Sequence, residues 1–234
     1  MGLRIMQVSA PKKKPAKSKT LILIVDDHPM MRQGLAALIN NEPDLAVCGE
    51  TESSGQAMDA IALRKPDLVI TDITLPDKSG LELIKDIQAM HPGLRVLVVS
   101  MHDESLYAER VLRAGGRGYV MKQEGGKRLM EGIRRVLAGD VYVSDKMSKR
   151  ILEIFTGQRS TSSGSPVERL TDREFEVFQL IGEGKATRDI AGKLHLSVKT
   201  VEVHRLHIKE KLELKTSAEL IHFAVRWVES QESA

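Results

Sequence analysis

The stretch Asp67-Leu-Val-Ile-Thr-Asp72 is an apolar run that stops on a carboxylate, with Leu75-Pro76 and Gly80 just beyond it. Leu68, Val69 and Ile70 do not alternate with polar residues, which is what a strand covered on both faces requires. Asp72 therefore stands where a buried strand leaves the core. In an open parallel α/β sheet, that end of the strands is where chemistry collects. Three further runs stop in the same manner: Leu21-Ile-Leu-Ile-Val25 on Asp26-Asp27, Val96-Leu-Val-Val99 on Ser100, and Gly118-Tyr-Val-Met121 on Lys122. Three carboxylates, a hydroxyl and an ammonium at four strand ends make a set that can hold a divalent cation and a phosphoryl group together.

Helical patterns separate these strands. Pro29 suits a first helical position and is followed by Met31, Leu35, Leu38 and Ile39 at helical spacing. A second strand covers Leu45 to Cys48, and Ser53 caps a helix that ends before Pro66. Helices also follow Ser79-Gly80, Asp103 and Lys122, the last closed by Gly139. Five strand-helix repeats over residues 21–140 require right-handed crossovers and predict a doubly wound five-stranded parallel sheet of flavodoxin-like form.

Composition changes after residue 140. Lys146 to Phe155 reads as one short helix, and Thr156 to Pro166, with Gly157, Gly164 and Ser160-Thr-Ser-Ser163, reads as a flexible linker, so residues 141–166 form the connection. Residues 167–232 contain no strand pattern. Thr171-Asp-Arg-Glu174 is a capping box, a second short helix carries Ile190, Ala191 and Leu194, and His195-Leu-Ser197 makes a tight turn into a third helix. A fourth spans about Ser217 to Val228. Together they predict a small all-α helix-turn-helix module.

Charge is divided unevenly. Residues 1–20 carry six Lys/Arg and no acid, so this segment supplies the whole formal excess of +3, and it reads as a disordered basic tail. The rest is close to neutral, and 41% hydrophobic residues are enough for two cores. Cys48 is the single cysteine, which excludes an internal disulfide and suits a reducing cytoplasm. No apolar run approaches ~18 residues, so no membrane partner is expected.

Asp26, Asp27 and Asp72 suit Mg²⁺, which takes one or two carboxylates with water and phosphate completing its octahedron. Asp72 is the nucleophile candidate, because a carboxylate can accept a phosphoryl group as an acyl phosphate. Lys122 would offset the negative charge, and Ser100 would donate to a phosphoryl oxygen and so move its loop.

In these residues the region 21–140 resembles the receiver domain of bacterial two-component response regulators, and residues 170–227 resemble the output domain of their LuxR/NarL/FixJ-type members. The second likeness rests on Leu170-Thr-x-Arg-Glu174, Gly184, Ile190-Ala191, Leu196-Ser197, Thr200-Val-Glu-Val-His204 and Lys211-Leu212. The resemblance implies phosphorylation of Asp72 by a histidine kinase, dependence on Mg²⁺, and an inward-moving aromatic at Tyr119. It also implies a homodimer in the phosphorylated form, with an exposed side of the last helix as the dimer candidate, and an output that is not enzymatic beyond the receiver's own phosphotransfer and dephosphorylation. Thr74 and His102 match positions that tune phosphoryl lifetime. Gln123 departs from the proline common after the lysine, and Ala186-Thr187 departs from the small polar pair common after the first-helix glycine.

The third helix of the module is expected to enter the major groove of double-stranded DNA. Lys199, Thr200, Glu202, Val203, Arg205, Leu206 and Lys209 are the candidates for its outer face, with Lys185, Arg188, Lys193 and Lys215 expected on phosphates. From Lys185 to Lys215 eight Lys/Arg face four acids, a local charge of +4. Glu202 either accepts from cytosine or is merely solvated, and His204 with His207 has metal-ligand spacing but no third ligand. The leading expectation is a promoter-binding transcription factor whose receiver covers the recognition helix until Asp72 is phosphorylated. Two other readings stay open: an interaction module with weak or phosphorylation-independent DNA binding, and a metal-dependent phosphohydrolase.

Overall fold

A computed structural model describes residues 19–156 and 166–232. The expectations for residues 1–18 and for most of the Ser/Gly-rich linker lie outside the described residues. Thr20, assigned to the tail, instead opens the first strand.

Strands β1 (Thr20–Val25), β2 (Leu45–Thr51), β3 (Leu68–Thr71), β4 (Arg95–Ser100) and β5 (Gly118–Met121) form one parallel sheet in the order β2-β1-β3-β4-β5. Its crossovers are α1 (Pro29–Asn40), α2 (Ser54–Arg64), α3 (Gly80–Met90) and α4 (Glu104–Arg113), and α5 (Gly125–Ala138) follows β5 after a 3-10 turn, Lys122–Glu124. Strand period two divides the core. Ile22, Ile24, Leu68, Ile70, Leu97 and Val99 are buried with residues of α1 and α5, whereas Leu23, Val25, Val69, Val96 and Val98 face the side of α2, α3 and α4. The central strands β1, β3 and β4 are thus buried on both faces up to the residue where they end, whereas β2 at the sheet edge is only partly covered and exposes Glu50.

The caps explain the helix starts. Ser53 accepts from the Gln56 amide, Ser79 from Leu81 at 3.2 Å, and Asp103 from Ser105 at 2.8 Å. After α5 the chain returns to the sheet: Tyr119 donates its amide to the Tyr142 carbonyl at 2.8 Å, and the Tyr142 amide donates to Arg117 at 2.9 Å. Tyr142, placed by the sequence in the connection, therefore lines the β5 edge. Helix α6 (Asp145–Phe155) then packs against α4.

The C-terminal module consists of α7 (Asp172–Gly182), α8 (Thr187–Lys193), α9 (Val198–Lys211) and α10 (Ser217–Glu232). The capping box is present, with Glu174 donating its amide to Thr171 Oγ1 and accepting the Thr171 amide at 2.8 Å. Glu174 also accepts from Lys211 Nζ at 2.6 Å, which ties the start of α7 to the end of α9. Phe175 and Phe178 pack edge-on to Trp227 of α10, with ring centroids 5.6 and 5.4 Å apart. Where α7 meets α10, a Cβ on Gly182 would lie 2.6 Å from the Ala224 carbonyl, so the crossing needs glycine. His195, at φ 51°, makes the tight turn between α8 and α9.

Candidate functional site

At the C-terminal ends of β1, β3 and β5 the carboxylates and the lysine converge. Lys122 Nζ lies 2.6 Å from Asp72 Oδ2 and 2.7 Å from Asp26 Oδ2, with all three side chains almost fully buried. Burial alone would pull the ammonium down, but Asp72 and Asp26 outweigh it and hold the Lys122 pKa above its ordinary value. The second Asp72 oxygen, Oδ1, accepts the Ile73 amide at 2.6 Å and the Thr74 amide at 3.4 Å. The acid is therefore fixed by the backbone on one side and by a cation on the other. Gly80 makes this loop possible: a Cβ there would sit 2.1 Å from the Asp72 carbonyl.

One ligand atom each from Asp26, Asp27, His28 and Asp72 can be found within 4.8 Å of one another, the one such group among the described residues. Asp27 Oδ1 is buried and accepts no hydrogen bond, although His28 Nδ1 stands 2.7 Å away. Hard carboxylate oxygens with one left unsatisfied are a donor set that fits Mg²⁺. His28 was not anticipated from the sequence; it follows the acidic pair directly, and only the turn into α1 brings its ring back over both carboxylates. Among the described residues the His204/His207 pair gains no third ligand, and burial holds the His204 pKa below its ordinary value.

Ser100 and Tyr119 lie beside the acidic cluster. Tyr119 is buried, its hydroxyl donating to the His102 carbonyl at 2.8 Å, so the aromatic expected to move inward already lies inside. Burial raises its phenol pKa well above the usual value. Ser100 Oγ accepts the His102 amide at 3.4 Å, and Thr74 Oγ1 is 3.1 Å from His102 Nε2. His102 thus touches Ser100, Tyr119 and Thr74 at once.

His102 also faces the second domain. Its Nδ1 is 3.2 Å from Gln179 Nε2 of α7, whose Oε1 accepts from the Tyr107 hydroxyl at 2.6 Å. If the Gln179 amide donates, Nδ1 is bare and Nε2 carries the proton, so the chain of bonds requires a neutral ring. Burial, with Lys193 and Lys122 adding to it against Asp72 and Glu183, holds the His102 pKa below its ordinary value, in keeping with that form. Arg110 of α4 donates to the Leu170 carbonyl at 2.9 Å and to Asp172 at 3.1 Å, and stacks 4.4 Å from the Phe175 ring centroid. Lys85 reaches Asp172 at 2.6 Å.

This docking differs from the expectation that the receiver covers the recognition helix. The covered element is α7, through Arg110, Tyr107 and His102, while Lys199, Glu202, Val203 and Leu206 on α9 are exposed. Lys185, Arg188 and Lys215 are exposed as well, Thr200 and Lys209 partly so, and Lys193 lines the gap beside His102. Arg205 is the exception among the outer-face candidates: its side chain is only 13% exposed and donates to Thr187 Oγ1.

Comparison with known proteins falls along the same division. The family model described as response regulator receiver domain matches residues 22–134, and that described as bacterial regulatory proteins, luxR family, matches residues 168–224. The oxygen regulatory protein NreC of Staphylococcus carnosus is 35% identical over 209 residues, spanning 88% of this chain and 96% of its own. RcsB of Salmonella enterica serovar Typhimurium, solved bound to promoter P1flhDC with the phosphomimetic BeF3−, is 25% identical with a TM-score of 0.63 over 88% of this chain and 98% of its own. A structure of two RcsB dimers bound to two parallel DNAs is 27% identical with a TM-score of 0.54 over the same shares.

Proposed function

From the fact that the chain belongs to the LuxR-family two-component response regulators, we propose that it is a promoter-binding transcription factor whose state is set by a phosphoryl group on Asp72, donated by a histidine kinase. The observation that carries this reading is the Lys122 ammonium held between the Asp72 and Asp26 carboxylates in a buried site.

An Asp72 oxygen attacks phosphorus, the P–N bond of the donor phosphohistidine breaks, and its electron pair stays on the imidazole nitrogen. Asp26, Asp27 and Asp72 are the residues that would hold Mg²⁺, which supplies positive charge to the phosphoryl oxygens. Lys122 neutralises the remaining charge, and the backbone amides of Ile73 and Thr74 keep the acceptor aimed. Ser100 turns its hydroxyl toward a phosphoryl oxygen. His102 then loses its Ser100 contact, and the bonds from His102 to Gln179 weaken with it. The population moves from the docked arrangement to a dimer that places two recognition helices on two half-sites. The receiver works on its own phosphoryl group and has no other substrate. It does so in the cytoplasm, where Cys48 stays reduced.

The test is a promoter-fragment titration of wild type and Asp72→Asn with Mg²⁺, with and without a small-molecule phosphodonor. The expected result is that the donor tightens wild-type binding and leaves the variant unchanged. Equal responses would show that Asp72 does not gate DNA binding.

A further inference from the structure

The geometry points to Thr187 as a positioning residue for base reading, which fixes the Glu202 carboxylate on the outer face of α9. The proposal rests on the DNA-binding reading above and deepens it. Thr187 opens α8, and the residue before it, Ala186, offers no side-chain cap. The Thr187 hydroxyl crosses to the next helix instead. Its single proton goes to Glu202 Oε1 at 3.0 Å, and its oxygen accepts from Arg205 at 3.2 Å.

Arg205 Nε lies 3.8 Å from Glu202 Oε2, so a hydroxyl, a carboxylate and a guanidinium close a ring across the two helices of the helix-turn-helix. Two consequences follow from the exposures. The Glu202 side chain is 56% exposed and would sample several rotamers if free, but Oε1 is held by the Thr187 hydroxyl and Oε2 stands at ion-pair distance from Arg205 on the same side. Arg205, at 13% exposed, spends its charge inside the module and does not offer it to the groove.

The outer face of α9 therefore presents an oriented acceptor amid exposed Lys199, Val203 and Leu206. In the major groove a carboxylate is matched by an exocyclic amino group, above all cytosine N4, and is left unpaired and repelled against the acceptor atoms of guanine or thymine. The site takes a cytosine-bearing base pair.

The experiment uses the full chain treated with Mg²⁺ and phosphodonor. Duplexes are selected from a randomised pool by the wild type, and the affinity ratio is then measured for each base-pair replacement in the selected duplex. Wild type and Thr187→Ser are expected to prefer cytosine at one position of each half-site by about tenfold or more. Thr187→Val and Glu202→Ala should bring that ratio close to one at that position, with the other positions and the salt dependence unchanged. A Thr187→Val protein that keeps the preference, or that weakens on all sequences alike, overturns the proposal. A Glu202→Ala protein with wild-type preference does so too. A wild type that selects no sequence refutes the DNA-binding reading itself.

Discussion

Removing the Arg110 side chain should undock the two domains without a phosphodonor. Arg110 is 12% exposed, donates to two carbonyls of the segment leading into α7 and to Asp172, and covers the Phe175 ring. Hydrogen bonds to charged groups contribute about 1.5–3 kcal/mol and a cation–π contact about 0.5–1 kcal/mol, against roughly 2 kcal/mol for holding the side chain in one rotamer. With three bonds and one stack lost, Arg110→Ala weakens docking by about 3–8 kcal/mol. Even the lower end raises the ratio of undocked to docked protein by about 150-fold. Asp172 keeps Lys85 as a partner, so the cost of leaving its charge alone stays small. Small-angle scattering without donor should show a larger radius of gyration than wild type, and promoter binding without donor should approach that of the phosphorylated protein. With donor, variant and wild type should converge. Unchanged scattering and unchanged donor-free affinity would refute the claim that α4 holds the output domain.

Lys122→Met leaves the buried Asp26 and Asp72 without their shared cation, and unfolding in denaturant should show a loss of about 3–5 kcal/mol, part of it recovered by added Mg²⁺. Gly80→Ala forces the Asp72 carbonyl aside, so phosphorylation by a small-molecule donor should fall sharply while the Lys122→Met style of charge repulsion is absent; normal phosphorylation would show that the loop adjusts. Burial pushes the Glu174 carboxyl up, and the Lys211 ammonium together with the Thr171 amide and hydroxyl outweigh it, leaving a pKa below the ordinary value. The unfolded chain thus binds this proton more readily, so the stabilisation is fully present above the ordinary carboxylate pKa and drains away as pH falls through the lower folded value. Glu174→Gln should cost about 1 kcal/mol at neutral pH and little in acid; melting curves offset equally at every pH would count against it.

How much of this was readable from residues alone depends on the range of the interaction. Strands of unbroken apolar character and capping residues such as Ser53, Ser79 and Thr171 act within a few positions, and the elements they define stand where the pattern places them. The acidic cluster was readable because parallel strands deliver their ends to one edge. The docking of α7 was not: the pairs Tyr107 with Gln179 and Arg110 with Leu170 join residues 72 and 60 positions apart, and no periodicity links them. His28, and the contact of Thr187 with Glu202 and Arg205, escaped for a related reason. Each acts through a turn whose direction local composition does not set.

The return of Tyr142 to β5 has a consequence for how the molecule is divided. A terminal strand with free amides and carbonyls is a template for another chain, and here backbone from beyond α5 occupies part of that row. A receiver cut after residue 140 would uncover the strand that carries Tyr119 and leave its outer amides and carbonyls open to another chain. A receiver unit with this edge covered therefore ends past Tyr142, and the first residues of the connection act as a selvedge, the woven border that keeps the sheet from fraying into its neighbours.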